Sequence, residues 1–283
     1  MLKRLKSPHI VFSGILFLSG MIILLYPYVS NLVASRNASQ VVSSYEDEVK
    51  NMEAEKIDAA KEAARKYNEQ LSNVISVEET KEEDTITYLD MVDAGMSLGY
   101  IVIPKIDVNL PIYSGIEEEV LRRGVGHLEQ SSYPLGGEST HCVLTGHRGL
   151  PSALLFTDLD KLEIGDEFYL HVLDDVLAYR VDQIKVVEPN ESGYLEIVEE
   201  MDYCTLVTCT PYAVNTHRLL VRGIRTEYVE TQEKHTANQM QSGSITKRIV
   251  DVWPFIILAL GLVLAGETVI FFLIMKRRNR REE

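Results

Sequence analysis

Metal-ligand spacing is missing from this sequence. Its three cysteines and seven histidines form no CxxC and no HExxH, and the histidines near cysteines, His141 and His217, have no second ligand at a tight interval. No metal and no other cofactor is therefore expected. The odd cysteine count leaves at least one thiol unpaired. Cys204 and Cys209 lie five apart on one predicted strand and face opposite ways, so they do not pair with each other. A Cys142–Cys204 bridge stays open at this level, beside buried free thiols, the commoner arrangement. There is no internal repeat and no low-complexity tract. Surplus positive charge is confined to the ends: each terminal tail carries three net positive charges, so a total of −14 leaves −20 for residues 9–275. Such acidity disfavours nucleic acid and anionic lipid as ligands and suits a basic partner, such as a lysine-bearing protein.

Two long apolar runs are present, Ile10–Val29 and Val252–Met275, each long enough to cross a bilayer. The first exceeds the usual apolar core of a signal peptide, and no A-x-A cleavage site follows Tyr28, so a retained anchor is expected. Lys3, Arg4 and Lys6 precede the first run, and Lys276, Arg277, Arg278, Arg280 and Arg281 follow the second. Positive flanks mark the cytoplasmic side, which puts both termini inside the cell and everything between the runs outside. Glu267 within the second run is costly there unless paired or neutral. The expected organisation is a cytoplasmic tail (1–9), a transmembrane helix or uncleaved signal anchor (10–29) and an extracellular helical segment with a lid-like loop (30–97). A catalytic barrel (98–227), a polar tether (228–250), a transmembrane helix (251–275) and a basic cytoplasmic tail (276–283) follow.

Between Gln40 and Val74, apolar or small residues recur at Tyr45, Val49, Met52, Ala60, Ala64, Tyr67, Leu71 and Val74. This spacing predicts one long amphipathic helix packed on its own domain. From Leu98 the pattern turns to short strands separated by Gly, Pro, Asn and Asp: LGYIVIP, LPIYSG, HCVLTG, EFYLHVL, LAYRVDQIKVVEP, YCTLVTC and HRLLVRGIR. With a helical turn at 117–123, they predict a mainly β chain: a closed barrel of about eight strands with short helices.

The residues that fit catalysis are a thiol and a base at strand ends. Cys209 closes an apolar strand before "TPY", where the chain must turn and leave the thiol at a barrel mouth. His147, in "VLTGHRGLPS", also follows a strand and lies between Gly146 and Gly149. A thiol and an imidazole are the parts of an acyl-transfer site. Arg218 adds a permanent cation at the start of the next strand, where it can donate hydrogen bonds to a developing oxyanion. A lone histidine is more often a surface or hydrogen-bonded residue, so the pattern alone does not settle the trio.

The segments "GYIVIPKIDVNLPIYSG" (99–115), "GVGHLEQSSYPLGGESTHCVLTGHRGLPSALLFTDLDKLEIGDEFYLHVL" (124–173) and "TLVTCTPYAVNTHRLLVRG" (205–223) resemble the barrel of class C sortases, the pilin-polymerising transpeptidases of Gram-positive surfaces. The resemblance implies a sortase-type fold and carries the motif cysteine onto Cys209, the histidine onto His147 and the arginine onto Arg218. The other candidates become spectators: Arg148 would point away from the histidine on an extended strand and His217 stands to Arg218 in the same way, His127 and His141 belong to turn and strand framework, and Cys142 and Cys204 are packing residues. It implies that Cys209 cleaves an LPxTG-like sorting signal between Thr and Gly, keeps the acyl group as a thioester, and passes it to a pilin lysine. The implied partners are pilin subunits that carry both the sorting signal and an acceptor lysine. A C-terminal membrane helix fits this class. Cell-wall anchoring by the same chemistry, and a non-enzymatic two-anchor scaffold, are the rival readings. One departure concerns the lid, which in many relatives carries an Asp-Pro-aromatic motif. Residues 73–97 contain no proline, and "SVEETKEEDT" (76–85) is rich in carboxylates. An open site is expected, the alternative being that Tyr88 with Asp90, or Met91, forms a divergent plug.

Overall fold

The computed structural model describes residues 8–75, 88, 97–230 and 266. It divides into two units, residues 1–25 with 238–283, and residues 26–237. In the first, the described residues 8–25 and Gly266 are helical. Helix α1 (Pro8–Asn51) carries the first apolar run. A stretch within Leu16–Asn51, of mean hydropathy 1.7, is long and apolar enough to cross a membrane. Apart from Gly266, the second apolar run, the basic C-terminal tail and residues 231–250 lie outside the described residues.

The single helix expected over 40–74 is two helices: α1 ends at Asn51, and α2 runs from Ala54 to Ile75. The reason lies in what each half buries. From α1, Val42 and Tyr45 pack on Tyr100, with Val49 and Val102 at the margin. From α2, Ala64 and Tyr67 join a different cluster that contains Tyr88 and Tyr133. A straight helix of that length would run about 50 Å, too far for one apolar stripe to follow a barrel whose strands are mostly short. The break lets the second stripe take its own contacts. Lys61 then fastens α2 to Asp174 and Asp175, at 2.5 and 2.7 Å. Tyr45 fastens α1, its hydroxyl donating to the Leu98 carbonyl at 3.2 Å and accepting from the Leu173 N–H at 2.6 Å.

The strands are β1 (Ser97–Ile103), β2 (Val108–Ser114), β3 (Val125–His127) and β4 (Thr140–Thr145). They continue with β5 (Glu167–Val172), β6 (Asp175–Val187), β7 (Asp202–Thr210) and β8 (His217–Thr226). They close in the order β1-β2-β3-β4-β7-β8-β6-β5. Only β2/β3 and β4/β7 are parallel, so the barrel is mixed. The seven segments read as strands are strands, and three-residue β3 is the eighth. One helical turn, α3 (Glu118–Leu121), precedes it. Ile101, Ile112, Leu144, Phe168 and Leu206 are fully buried and fill the interior, where β-branched and aromatic residues pack well on pleated surfaces.

Candidate active site

Strand parity decides where the reactive groups point. In β7, Cys204 and Leu206 belong to the barrel core, whereas Val207 packs with Val143, Val187 and Leu220 in a separate outer cluster. Cys209 shares the parity of Val207 and therefore lies on the outer face at the strand end, instead of in the barrel mouth where the sequence placed it. In β8, Leu219 and Val221 are core and Leu220 is outer, so Arg218 faces the same way as Cys209.

The register then sets the spacing. Cys209 pairs directly with Arg218 across the antiparallel β7/β8 ladder, a relation that holds the two Cβ atoms about 4.5–5.5 Å apart. On the other side, parallel β4 ends with Thr145 opposite Val207. The chain stays on β7 beyond that pair: the Gly146 N–H donates to the Val207 carbonyl at 3.1 Å, and the Thr208 hydroxyl donates to the Gly146 carbonyl at 2.7 Å. His147 follows, two residues past the end of β4, beside the end of β7 that carries the thiol. Cys209 and Arg218 thus share one face at two adjacent strand ends, and His147 follows the end of the third, neighbouring strand.

Each group has local partners. His147 Nε2 lies 3.1 Å from Glu118 Oε2. The Arg122 guanidinium, and then the imidazole, hold the Glu118 carboxyl below the usual carboxylate range. Arg218 Nη1 donates to the carbonyls of His217 at 3.1 Å and Asn215 at 3.4 Å. Asn215 itself sits in the left-handed region at φ 60, which asparagine tolerates. Cys209 is half-buried.

The other sequence candidates fall into framework roles. Arg148 braces the site, donating to the Thr157 carbonyl at 3.1 Å, the Thr210 hydroxyl at 3.0 Å and Asp160 at 2.5 Å. His217 contacts Glu188 at 3.3 Å. His141 is buried between the Glu196 carbonyl and Thr205 Oγ1, and burial pulls its pKa down. His127 is fully buried, with Nδ1 2.7 Å from the Tyr88 hydroxyl and Nε2 2.9 Å from the Ser132 carbonyl.

Cys142 and Cys204 face each other in the β4/β7 ladder and remain free thiols in the core. Burial raises a thiol's pKa and prevails at Cys204; at Cys142, hydrogen bonds from Cys204 and His127 outweigh burial and bring it down to about 6. Cys142 is only 2% exposed, so no acyl donor reaches it.

Tyr88 packs on His127 in a stack with ring centroids 5.4 Å apart, and against Tyr67 and Tyr133. It is a core residue there instead of a plug over the thiol. Asp90, Met91 and residues 76–85 lie outside the described residues. Among the described residues no group of three His, Cys, Asp or Glu side chains is arranged to hold a metal. Sequence reasoning missed Glu118, whose only signal was its place in an acidic helical turn, and the bracing by Arg148, which depends on three residues brought together by folding.

Residues 101–226 match the sortase domain family. Among curated proteins, sortase D of Bacillus subtilis is 30% identical over 154 residues, 54% of this chain and 73% of that protein. Among solved structures, Clostridium perfringens sortase C with the C-terminal cell wall sorting motif is 46% identical, with a TM-score of 0.61. That match covers 68% of this chain and 100% of the other. Streptococcus pneumoniae sortase C, described for its catalysis and pilin substrate specificity, is also 46% identical, with a TM-score of 0.60 over 67% of this chain and 97% of that one.

Proposed function

The chain belongs to the sortase family of cysteine transpeptidases, and we propose that it polymerises pilins, with Cys209 as nucleophile, His147 as proton carrier and Arg218 as oxyanion donor. The observation that carries this reading is the direct β7/β8 pairing of Cys209 with Arg218, beside the strand end that bears His147. The resemblance to sortase C structures over their whole length supports the pilin class.

In this mechanism His147 takes the proton of the Cys209 thiol, and the sulfur attacks the threonine carbonyl of the Thr–Gly bond in an LPxTG-like signal. The carbonyl oxygen gains the negative charge, and the Arg218 guanidinium, held one cross-strand spacing from the sulfur, donates hydrogen bonds to it. Collapse breaks the C–N bond as His147 gives a proton to the departing glycine amine, leaving a Cys209 thioester. A lysine amine of the next pilin then attacks the thioester, the C–S bond breaks, and His147 passes the proton of the amine to the departing Cys209 sulfur. The products are an isopeptide bond and the free thiol. A thioester keeps its acyl reactivity for an amine provided the amine is held close to it. Glu118 orients the imidazole through these proton transfers.

The same proposal places the chain in the cell membrane through Ile10–Val29 and residues 251–275, with both termini cytoplasmic and the barrel outside. The test is incubation of the full-length chain, in lipid nanodiscs, with a pilin that carries an LPxTG-like signal. A ladder of heat- and detergent-resistant polymers is expected, and it disappears with Cys209→Ala. Single adducts to cell-wall peptide amines without ladders would favour wall anchoring instead.

A further inference from the structure

The loop that carries His147 is tied to the end of the membrane helix. Its base is closed by the Phe156 N–H donating to the His147 carbonyl at 3.1 Å, and its tip by an isolated bridge between Leu150 and Ala153. That tip meets α1 just past the apolar run. The Ser30 hydroxyl lies 3.3 and 3.2 Å from the carbonyls of Pro151 and Ser152, and the Leu154 N–H donates to Asn31 Oδ1 at 2.9 Å. Leu154 itself is 46% exposed.

We propose that the 150–154 hairpin rests on the lipid surface, with the Leu154 side chain at the boundary between headgroups and acyl chains, so that the histidine loop is held at the membrane. This inference rests on the membrane-spanning reading of Ile10–Val29. The height follows from helix geometry. Asn31 stands two residues beyond Val29, about 3 Å at the helical rise, whereas the polar zone on each side of a bilayer is about 5–7 Å deep. Any tilt of the helix brings Asn31 closer still to the hydrocarbon. Tyr26 and Tyr28, both exposed on the preceding turn, are of the type that gathers at this boundary. A single exposed leucine is ordinary on a soluble surface. One whose backbone is bonded to a residue two positions past a membrane span is placed where an apolar side chain is stabilised by lipid. The contact is apolar, since the region between the tails is strongly acidic, so zwitterionic lipid is the partner.

The test uses the full chain with its one tryptophan removed, Trp253→Phe, reconstituted in phosphatidylcholine vesicles brominated near the top of the acyl chains. Single probes are added as Leu154→Trp, Leu24→Trp and Val198→Trp. Val198 precedes β7 at the end opposite Cys209, roughly 30 Å away at strand rise. Bromolipid should quench Leu154→Trp and Leu24→Trp at least about twofold more than Val198→Trp, as insertion to the headgroup boundary requires. Quenching at Leu24 with Leu154 at the Val198 level overturns the lipid contact and leaves the span intact. No quenching at Leu24 removes the span and the inference together. A nitroxide on Leu154→Cys in a Cys209→Ala chain reads the same depth by oxygen accessibility and does not depend on how well tryptophan fits.

Discussion

Arg148 stands next to the candidate histidine in sequence, yet the structure gives it a bracing role that can be measured. Its side chain is 8% exposed, and its guanidinium joins three points: the Thr157 carbonyl, Asp160 and the hydroxyl of Thr210, the residue after Cys209. Arg148→Met keeps most of the aliphatic stem and removes all three. The bonds to Thr157 and Thr210 are largely shielded and contribute about 1–1.5 kcal/mol each. The ion pair adds less, about 0.5 kcal/mol, because Asp160 is half exposed and screened. The loss is therefore about 2.5–3.5 kcal/mol, and for a unit of this size that lowers Tm by about 5–14 °C. Asp160→Asn, which weakens only the screened pair, should shift Tm by about 1–2 °C. Thermal unfolding followed by circular dichroism in the strand region separates the two. If Arg148→Met moves Tm no further than Asp160→Asn, the bonds to Thr157 and Thr210 do not brace the site, and the account of Arg148 is wrong.

Three further outcomes are expected. Cys209→Ala should abolish the thioester seen by mass spectrometry of the intact chain, while Cys142→Ala and Cys204→Ala keep it; equal loss in all three folded variants would remove Cys209 as the nucleophile. Arg218→Lys keeps the charge but loses the planar fork, and should lower kcat/KM at least about tenfold, or 1.4 kcal/mol; unchanged kinetics would take Arg218 out of the site. His141 binds its proton less readily when folded than its ordinary value of 6.5, because it is buried. The unfolded chain therefore takes up more protons there, and stability present above about pH 6.5 is lost as pH falls from that value through the lower folded-state one. Denaturant midpoints should drop less steeply toward acid in His141→Gln than in the parent chain, and parallel slopes would contradict the assignment.

Much of the barrel was legible because its strands carry their own punctuation. β1, β2, β5, β6 and β8 are β-branched or aromatic runs bounded by Gly, Pro, Asn or Asp, a local signal that tertiary context did not override. β3 was not legible as a strand, since three residues cannot show a period; only its pairing with β2 and β4 makes it one. The helix break at Met52–Glu53 was hidden for a related reason. The apolar spacing continues through it, and the cause is the shape of the surface to be covered, which no periodicity records.

The site was legible as residue types and illegible as a face. The sequence placed Cys209 in the barrel mouth, and the correction comes from the parity of Val207, Cys209, Arg218 and Leu220 relative to Leu206 and Leu219. That correction has a mechanistic consequence. Cys209 and Arg218 are joined by the β7/β8 ladder and keep their separation as long as the barrel is folded. His147 sits on a loop, and its position is set by Glu118, by the brace of Arg148, and by the hydrogen bonds of the hairpin tip to Ser30 and Asn31. Perturbations of the barrel should therefore change the proposed nucleophile and oxyanion donor together through stability. Perturbations of the loop contacts should change proton transfer while the fold persists. In the proposed reaction, the rigid pair would suit the step in which a tetrahedral centre must be met at fixed distance, and the loop-borne histidine would suit a group that hands a proton to one amine and takes it from another.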